Sequence, residues 1–162
     1  MTDCIINRVE CKRLGRRTLM AGFDGGQITS DGGALLLDKA DHAIGLTQRA
    51  AACFVDHRRE AFREHGVDEL IRQRVYGLAL GYEDLNDHDE LSRDWLLAAV
   101  VGKVDPTGAD RRRASDRGRP LAGKSTLNRL ELTPHDATSA DRYKKIVLDV
   151  DAMRRLFVDL FL

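Results

Sequence analysis

Val67, Ile71, Val75, Leu78 and Tyr82 recur at spacings of four, four, three and four residues, one face of a 3.6-residue period. The spacing predicts a helix over residues 67–82. Asp68 and Glu69 fall in its first turn, where the helix dipole favours acids, and Gly81 is a plausible stop. Such a stripe must be buried against a partner, and the next apolar pattern supplies one. Leu91, Trp95, Leu96, Ala99 and Val100 predict a second helix over residues 89–101 with those five side chains inward. The pair is expected to pack as a hairpin and form most of the core of a mainly α fold. At 162 residues the chain suits one ordinary domain, or part of a larger one.

The flanks are weaker. Residues 1–22 are mixed and poorly patterned. F-D-G-G-Q-I-T-S-D-G-G at 23–33 is rich in turn formers and predicts a short strand or β-hairpin near residues 20–30, around Gly25 and Gly26. Ser30 or Asp31 is then placed to cap a helix through Ala34, Leu35, Leu37, Ala40 and Asp41. A further short helix is expected over 47–54, followed by a polar break at 56–59. Downstream, leucines three apart predict a helix over 124–132, then a polar linker over 133–140. A last helix, capped by Asp149 or Asp151, runs through Met153, Leu156, Phe157, Leu160 and Phe161. Four segments result: an N-terminal arm (1–30), a helical core (31–101), a basic loop (102–123), and a short helix, linker and C-terminal helix (124–162). Because residue 162 falls within an apolar stripe, the chain is expected to be the front end of a longer protein.

Between residues 102 and 123 no periodicity survives; the segment holds Pro106, Gly108, Gly118, Pro120 and a run of arginines. A loop of this length inside a compact domain is usually functional or disordered, and this one is expected to be mobile alone and ordered by a partner. Its charge says which partner. The whole chain is neutral, yet residues 111–129 carry six arginines and Lys124 against one acid, Asp116. That is a net charge of +6, leaving −6 for the rest. Charge concentrated in this way is a footprint for polyanions. The helix that follows has two faces: Leu127 and Leu130 on one, Ser125, Asn128, Arg129 and Leu132 on another. Asn pairs bidentately with adenine and Arg with guanine in a major groove, whereas arginines in a loop grip phosphates without reading sequence. The candidate DNA-contacting residues are therefore Arg111, Arg112, Arg113, Arg117, Arg119, Lys124, Ser125, Thr126, Asn128 and Arg129.

Residues 118–125, G-R-P-L-A-G-K-S, also match the phosphate-binding pattern G-x-x-x-x-G-K-[ST], so a P-loop nucleotide-binding protein is the competing reading. A P-loop needs a buried strand to deliver the chain to its glycine-rich turn. Residues 111–117 contain one apolar side chain and five charges, and cannot be that strand. A phosphate at the start of the following helix then belongs to a DNA backbone, with Lys124 as a point charge on it. Asp84, Asp87, His88, Asp89 and Glu90 form an acidic knot, but without the glycine and distal glutamate of a calcium loop. They read as a solvated inter-helix loop of capping acids. Ile146-Val-Leu-Asp149 resembles a strand delivering a catalytic carboxylate, yet the helical residues that follow favour Asp149 as a cap. Three cysteines without C-x-x-C spacing suit a reduced protein, with Cys53 as a small buried hydrophobe beside Ala50, Ala51, Ala52 and Phe54. No apolar run approaches the ~20 residues of a membrane span, and the first residues are not those of a secretory signal.

Five segments together resemble bacterial insertion-sequence transposases of the DDE class. They are F-D-G-G-Q-I-T-S-D-G-G-A-L-L-L at 23–37, C-F-V-D-H-R at 53–58, R-Q-R-V-Y-G-L-A-L-G-Y-E-D-L-N-D-H-D at 72–89, L-A-G-K-S-T-L-N-R-L-E at 121–131 and L-F-V-D-L-F-L at 156–162. The resemblance implies DNA transposition, with Mg²⁺ held by two aspartates and a glutamate on a ribonuclease-H-like core. It implies that the first such aspartate lies in a strand beyond residue 162, so no catalytic or metal-binding residue is assigned here and no cofactor is expected of this part alone. The chain is expected to be the N-terminal, DNA-binding part of such a transposase, recognising the terminal inverted repeats of double-stranded transposon DNA without cutting it. A bacterial cytoplasmic, nucleoid-associated location and a homodimer are compatible with that role.

Overall fold

The computed structural model describes residues 9–14, 17–22 and 29–162. In chain order the elements are β1 (Val9–Leu14), β2 (Arg17–Ala21), α1 (Ala34–Ile44), α2 (Leu46–Ala51), β3 (Phe54–Asp56), α3 (Val67–Ala79), α4 (His88–Leu91), α5 (Trp95–Val101), α6 (Lys124–Glu131), β4 (Ile146–Leu148) and α7 (Val150–Phe161). The mainly α architecture expected from the periodicity is the one observed. β1 and β2 pair antiparallel, from Val9 opposite Ala21 to Leu14 opposite Arg17, with an irregularity between Glu10 and Lys12. This hairpin lies upstream of the expected one, whose centre at Gly25 and Gly26 falls outside the described residues.

Helix α3 is the axis of the molecule. It starts as its sequence dictates: the Glu69 carboxylate reaches back to accept from the Gly66 N–H at 3.0 Å. It is buried on two sides. Leu70 and Ile71 join one core cluster with Ala50, Cys53, Leu127, Ile146 and Leu156; Tyr76 joins another with Ala34, Leu97, Val100 and Leu121. The single apolar stripe read from the sequence is therefore incomplete. Leu78, expected inward, is 46% exposed, while Leu70, Gln73, Tyr76 and Gly77 are buried. The second buried arc includes a glutamine and a glycine, which a hydrophobic pattern passes over.

The helix expected over 89–101 is two helices. α4 ends at Leu91, and Asp94 starts α5 afresh by accepting from the Leu97 N–H at 2.6 Å. This break changes the phase, so Trp95 stands 42% exposed instead of inward, and Leu97, Ala98, Ala99, Val100 and Val101 are buried all round. Neither Ser30 nor Asp31 caps α1. Gly33 stands at that cap, and both Asp31 carboxylate oxygens accept from the Tyr82 hydroxyl at 3.1 Å. Nor does the second helix reach residue 54. Phe54, Val55 and Asp56 pair antiparallel with Leu148, Val147 and Ile146, a partner too distant in sequence for local pattern to reveal. Asp149, just past that strand, is a cap as expected: its carboxylate accepts from the Ala152 N–H at 2.9 Å.

Candidate nucleic-acid interface

Helix α6 presents the two faces its sequence predicts. Leu127 and Leu130 are buried in the core, and Lys124, Ser125, Asn128, Arg129 and Leu132 are exposed, with Thr126 half-buried. Four interactions fix its position. Gln73 of α3 pairs with the backbone of Ala122 in both directions: Nε2 donates to the Ala122 carbonyl at 2.7 Å, and the Ala122 N–H donates to Oε1 at 3.0 Å. The Leu121 N–H donates to the Ser92 carbonyl at 3.2 Å. At the far end of α6, Arg74 pairs with Glu131 while its remaining N–H groups donate to the carbonyls of Tyr82 and Glu83 at 3.1 and 2.9 Å. At the near end, Asp89 of α4 accepts from the Lys124 N–H at 3.1 Å.

That last contact decides what the start of α6 can bind. The Lys124 ammonium also lies 3.3 Å from Asp89 Oδ2 and donates to Asn86 Oδ1 at 3.1 Å. A carboxylate thus occupies the helix N-terminus where an incoming phosphate would sit. These bonds, first the Lys124 N–H and then its ammonium, hold the Asp89 carboxyl below its ordinary range. No strand precedes Gly118; residues Ala114–Asp116 form a single 3₁₀ turn. The geometry of a P-loop is not met. The expected phosphate contact of Lys124 is likewise already matched by an internal acid.

The acids of the knot are the capping acids expected, Asp84 on the Asn86 N–H at 2.8 Å and Asp89 on the start of α6, but its histidine is not solvated. His88 is fully buried, and Asp89 caps a helix other than its own. Gln73 Nε2 lies 3.2 Å from His88 Nδ1, and burial, aided by the charge of Arg74, pushes the His88 pKa down to about 4. The neutral ring has one acceptor nitrogen, with Gln73 Nε2 facing Nδ1 and Arg74 Nη1 lying 3.4 Å from Nε2. Gly77 makes room for it: a Cβ there would stand 2.8 Å from His88 Cε1.

The basic loop is held down more firmly than its composition suggested. Lys103 pairs with Glu69 at 2.7 Å, and Asp105 closes a turn on the N–H groups of Thr107 and Ala109. The chain then returns on itself, with the Gly118 N–H donating to the Gly108 carbonyl at 3.3 Å. Gly108 has φ +68°, and a Cβ there would meet Pro120 N at 2.8 Å, so only glycine fits. Pro120, Leu121 and Ala122 are buried. The expectation of a segment ordered only by a partner gives way to one tied to the core by local turns and side-chain bonds, which leave no periodic trace.

The candidate cations divide. Arg111 turns inward: its guanidinium donates from Nη1 to His65 Nε2 at 2.5 Å, and Nε lies 3.4 Å from Glu64. His65 is itself buried, and that burial, with Lys103, Arg111 and Arg58 around it, pushes its pKa down to about 2. Arg112 is exposed but bonded to the Ala61 carbonyl and 3.9 Å from Glu64. Arg113, Arg117, Arg119 and Arg129 are exposed and, among the described residues, carry no carboxylate within ion-pair distance. The sequence reading passed over a neighbouring group. The Arg129 guanidinium lies 5.2 Å from the centre of the Tyr143 ring, and that of Arg142 lies 4.9 Å from it. The signal was present as R-Y-K-K at 142–145, a basic run interleaved with an aromatic.

A sequence profile described as transposase DDE domain group 1 matches residues 11–162. The chain belongs to this transposase family. No curated protein and no solved structure gives a significant match. Transposases of this family act on DNA and use divalent metal. Among the described residues no three His, Cys, Asp or Glu side chains converge on a common point that could hold one. Among the same residues no helix is long and apolar enough to cross a membrane.

Proposed function

We propose that this chain is the DNA-binding part of its transposase and recognises transposon-end duplex through the exposed face of α6 and the arginines before it. The observation that carries this reading is a set of four exposed arginines, Arg113, Arg117, Arg119 and Arg129, without ion pairs among the described residues. They sit beside a helix whose outward side chains include Ser125 and Asn128. Unneutralised guanidiniums gain free energy by displacing counterions from phosphates. Asn128 and Arg129 supply the groups that read base edges, with Ser125 and Thr126 within reach of the backbone. Arg112 and Lys124, each already matched by an acid, contribute less to affinity, and Arg111 contributes by shaping the loop. Strand cleavage and its Mg²⁺ chemistry are not assigned to these residues, and a homodimer and a nucleoid-associated, cytoplasmic location accompany the reading.

An electrophoretic shift with duplex carrying the element's terminal inverted repeat, against random duplex of equal length at two salt concentrations, tests it. Binding that weakens with salt and favours the repeat is expected. Equal absence of binding to both duplexes would overturn it. Nucleotide binding abolished by Lys124→Ala would instead restore the P-loop reading.

A further inference from the structure

The segment that leads into β4 carries a second basic surface outside the set read from the sequence. We infer that Tyr143 is a positioning residue that holds Arg129 and Arg142 together as a phosphate clamp, extending the DNA face of α6 onto residues 142–144. The inference rests on the DNA-binding reading above.

Arg129, Arg142, Tyr143 and Lys144 are all exposed. The two guanidiniums lie 5.2 and 4.9 Å from one ring centre, close enough for each to be attracted to the aromatic quadrupole. Two like charges around one ring repel each other, and an acid between them would normally relieve this. None does so among the described residues. Asp141, the acid adjacent in sequence, is committed elsewhere: its carboxylate accepts from the Thr138 N–H at 2.7 Å and from the Thr138 hydroxyl at 3.2 Å. Those bonds, the backbone one first, hold its pKa below the ordinary carboxylate range, so Asp141 stays ionised yet faces Thr138. What remains is a pair of cations pre-ordered by a ring and lacking a counter-charge. Guanidiniums bind phosphate oxygens bidentately, and ordering them in advance lowers the entropy lost on contact. Arg129 belongs to α6, so one duplex backbone crossing the helix meets both charges.

The test uses the 162-residue chain and fluorescent duplex bearing the terminal inverted repeat, titrated over a range of salt, with thermal melting of each variant. Arg142→Ala is expected to weaken binding about tenfold near 0.1 M salt and to lower the log–log salt slope by about one. Tyr143→Leu should weaken binding about fivefold while leaving the melting temperature unchanged, and Tyr143→Phe, which keeps the ring, should stay within about twofold of the parent. If the parent binds and Arg129→Ala weakens it, but Arg142→Ala and Tyr143→Leu match the parent, the clamp is wrong and the DNA reading stands. Tyr143→Phe as weak as Tyr143→Leu assigns the effect to the hydroxyl and overturns the clamp. Poly-glutamate bound as tightly as duplex would point to an acidic protein partner and overturn it also. A parent chain that shifts no duplex overturns both readings.

Discussion

Arg111 and Arg113 stand two residues apart in one basic run, and the fold uses them in opposite ways. Arg111 is 11% exposed and directed at His65 and Glu64. Arg113 is exposed and, like Arg117 and Arg119, has no ion-pair partner among the described residues. The first arginine anchors the loop, and the later ones are the charge it displays. The run's net charge therefore overstates what is on offer to a polyanion, because Arg111, Arg112 and Lys124 are matched by Glu64 and Asp89. The same contrast holds on α6, where Lys124 is neutralised and Arg129 is not.

If the anchored half is what makes the displayed half possible, damage to the anchors should cost stability first. The largest effect is expected at Gln73→Leu. This change strands the Ala122 N–H and carbonyl, both buried, at about 1–3 kcal/mol each, so a loss of about 3 kcal/mol is expected from urea denaturation. A loss below about 0.5 kcal/mol would show that Ala122 has another partner and that α6 is not held this way.

Next is Arg111→Ala. It leaves His65 Nε2 buried without a donor, for an expected loss of about 2 kcal/mol with the salt slope of DNA binding unchanged. The reverse result, full stability with a slope lowered by about one, would put Arg111 on the DNA and erase the contrast with Arg113.

Which parts of this were legible in the sequence follows a physical rule. α6, with Leu127 and Leu130 in and Asn128 and Arg129 out, was readable because a helix encodes its faces in local spacing. The start of α3 and the Asp149 cap were readable for the same reason, since capping partners lie within three residues. The pairing of Phe54 with Leu148, the hold of Gln73 on Ala122 and the placement of Asp89 at the start of α6 join residues far apart, and no local pattern records them. Arg111 looked identical to its neighbours because its fate depends on His65, which the chain brings up from a different loop. At Tyr143 the local half of the signal, Arg142 beside the ring, stands in the sequence, whereas its second partner, Arg129, lies on another element and leaves no local trace.

The anchored half also carries a pH signature that the displayed half lacks. His65 and His88 are held at about 2 and about 4, in each case chiefly by burial. An unfolded chain takes up protons at these sites near pH 6.5, whereas the folded chain does not. Stability is therefore fully present above about pH 6.5 and falls with acid, by at most about 1.4 kcal/mol per pH unit for each histidine. His88 stops contributing near pH 4, while His65 continues below it. Denaturation midpoints between pH 7 and about 5, above the window in which the depressed aspartates lose their contribution, read the effect. A flat profile over that window would mean that both rings are accessible to water and that the Arg111–His65 anchor is open.

The smallest effect on stability is expected at Arg113→Ala, within about 0.5 kcal/mol of the parent because the side chain is exposed and has no ion pair to lose. Its value lies in the second measurement. Duplex affinity should drop while the log–log salt slope falls by about 0.9, the share of one phosphate contact, and the preference for terminal repeat over random duplex should persist. Asn128→Ala should do the opposite, narrowing that preference and leaving the slope alone, since a neutral side chain reading a base edge releases no counterion. If both variants change the slope together, or neither does, the loop and α6 do not divide the work between gripping and reading. The difference between Arg111 and Arg113 would then be one of packing alone.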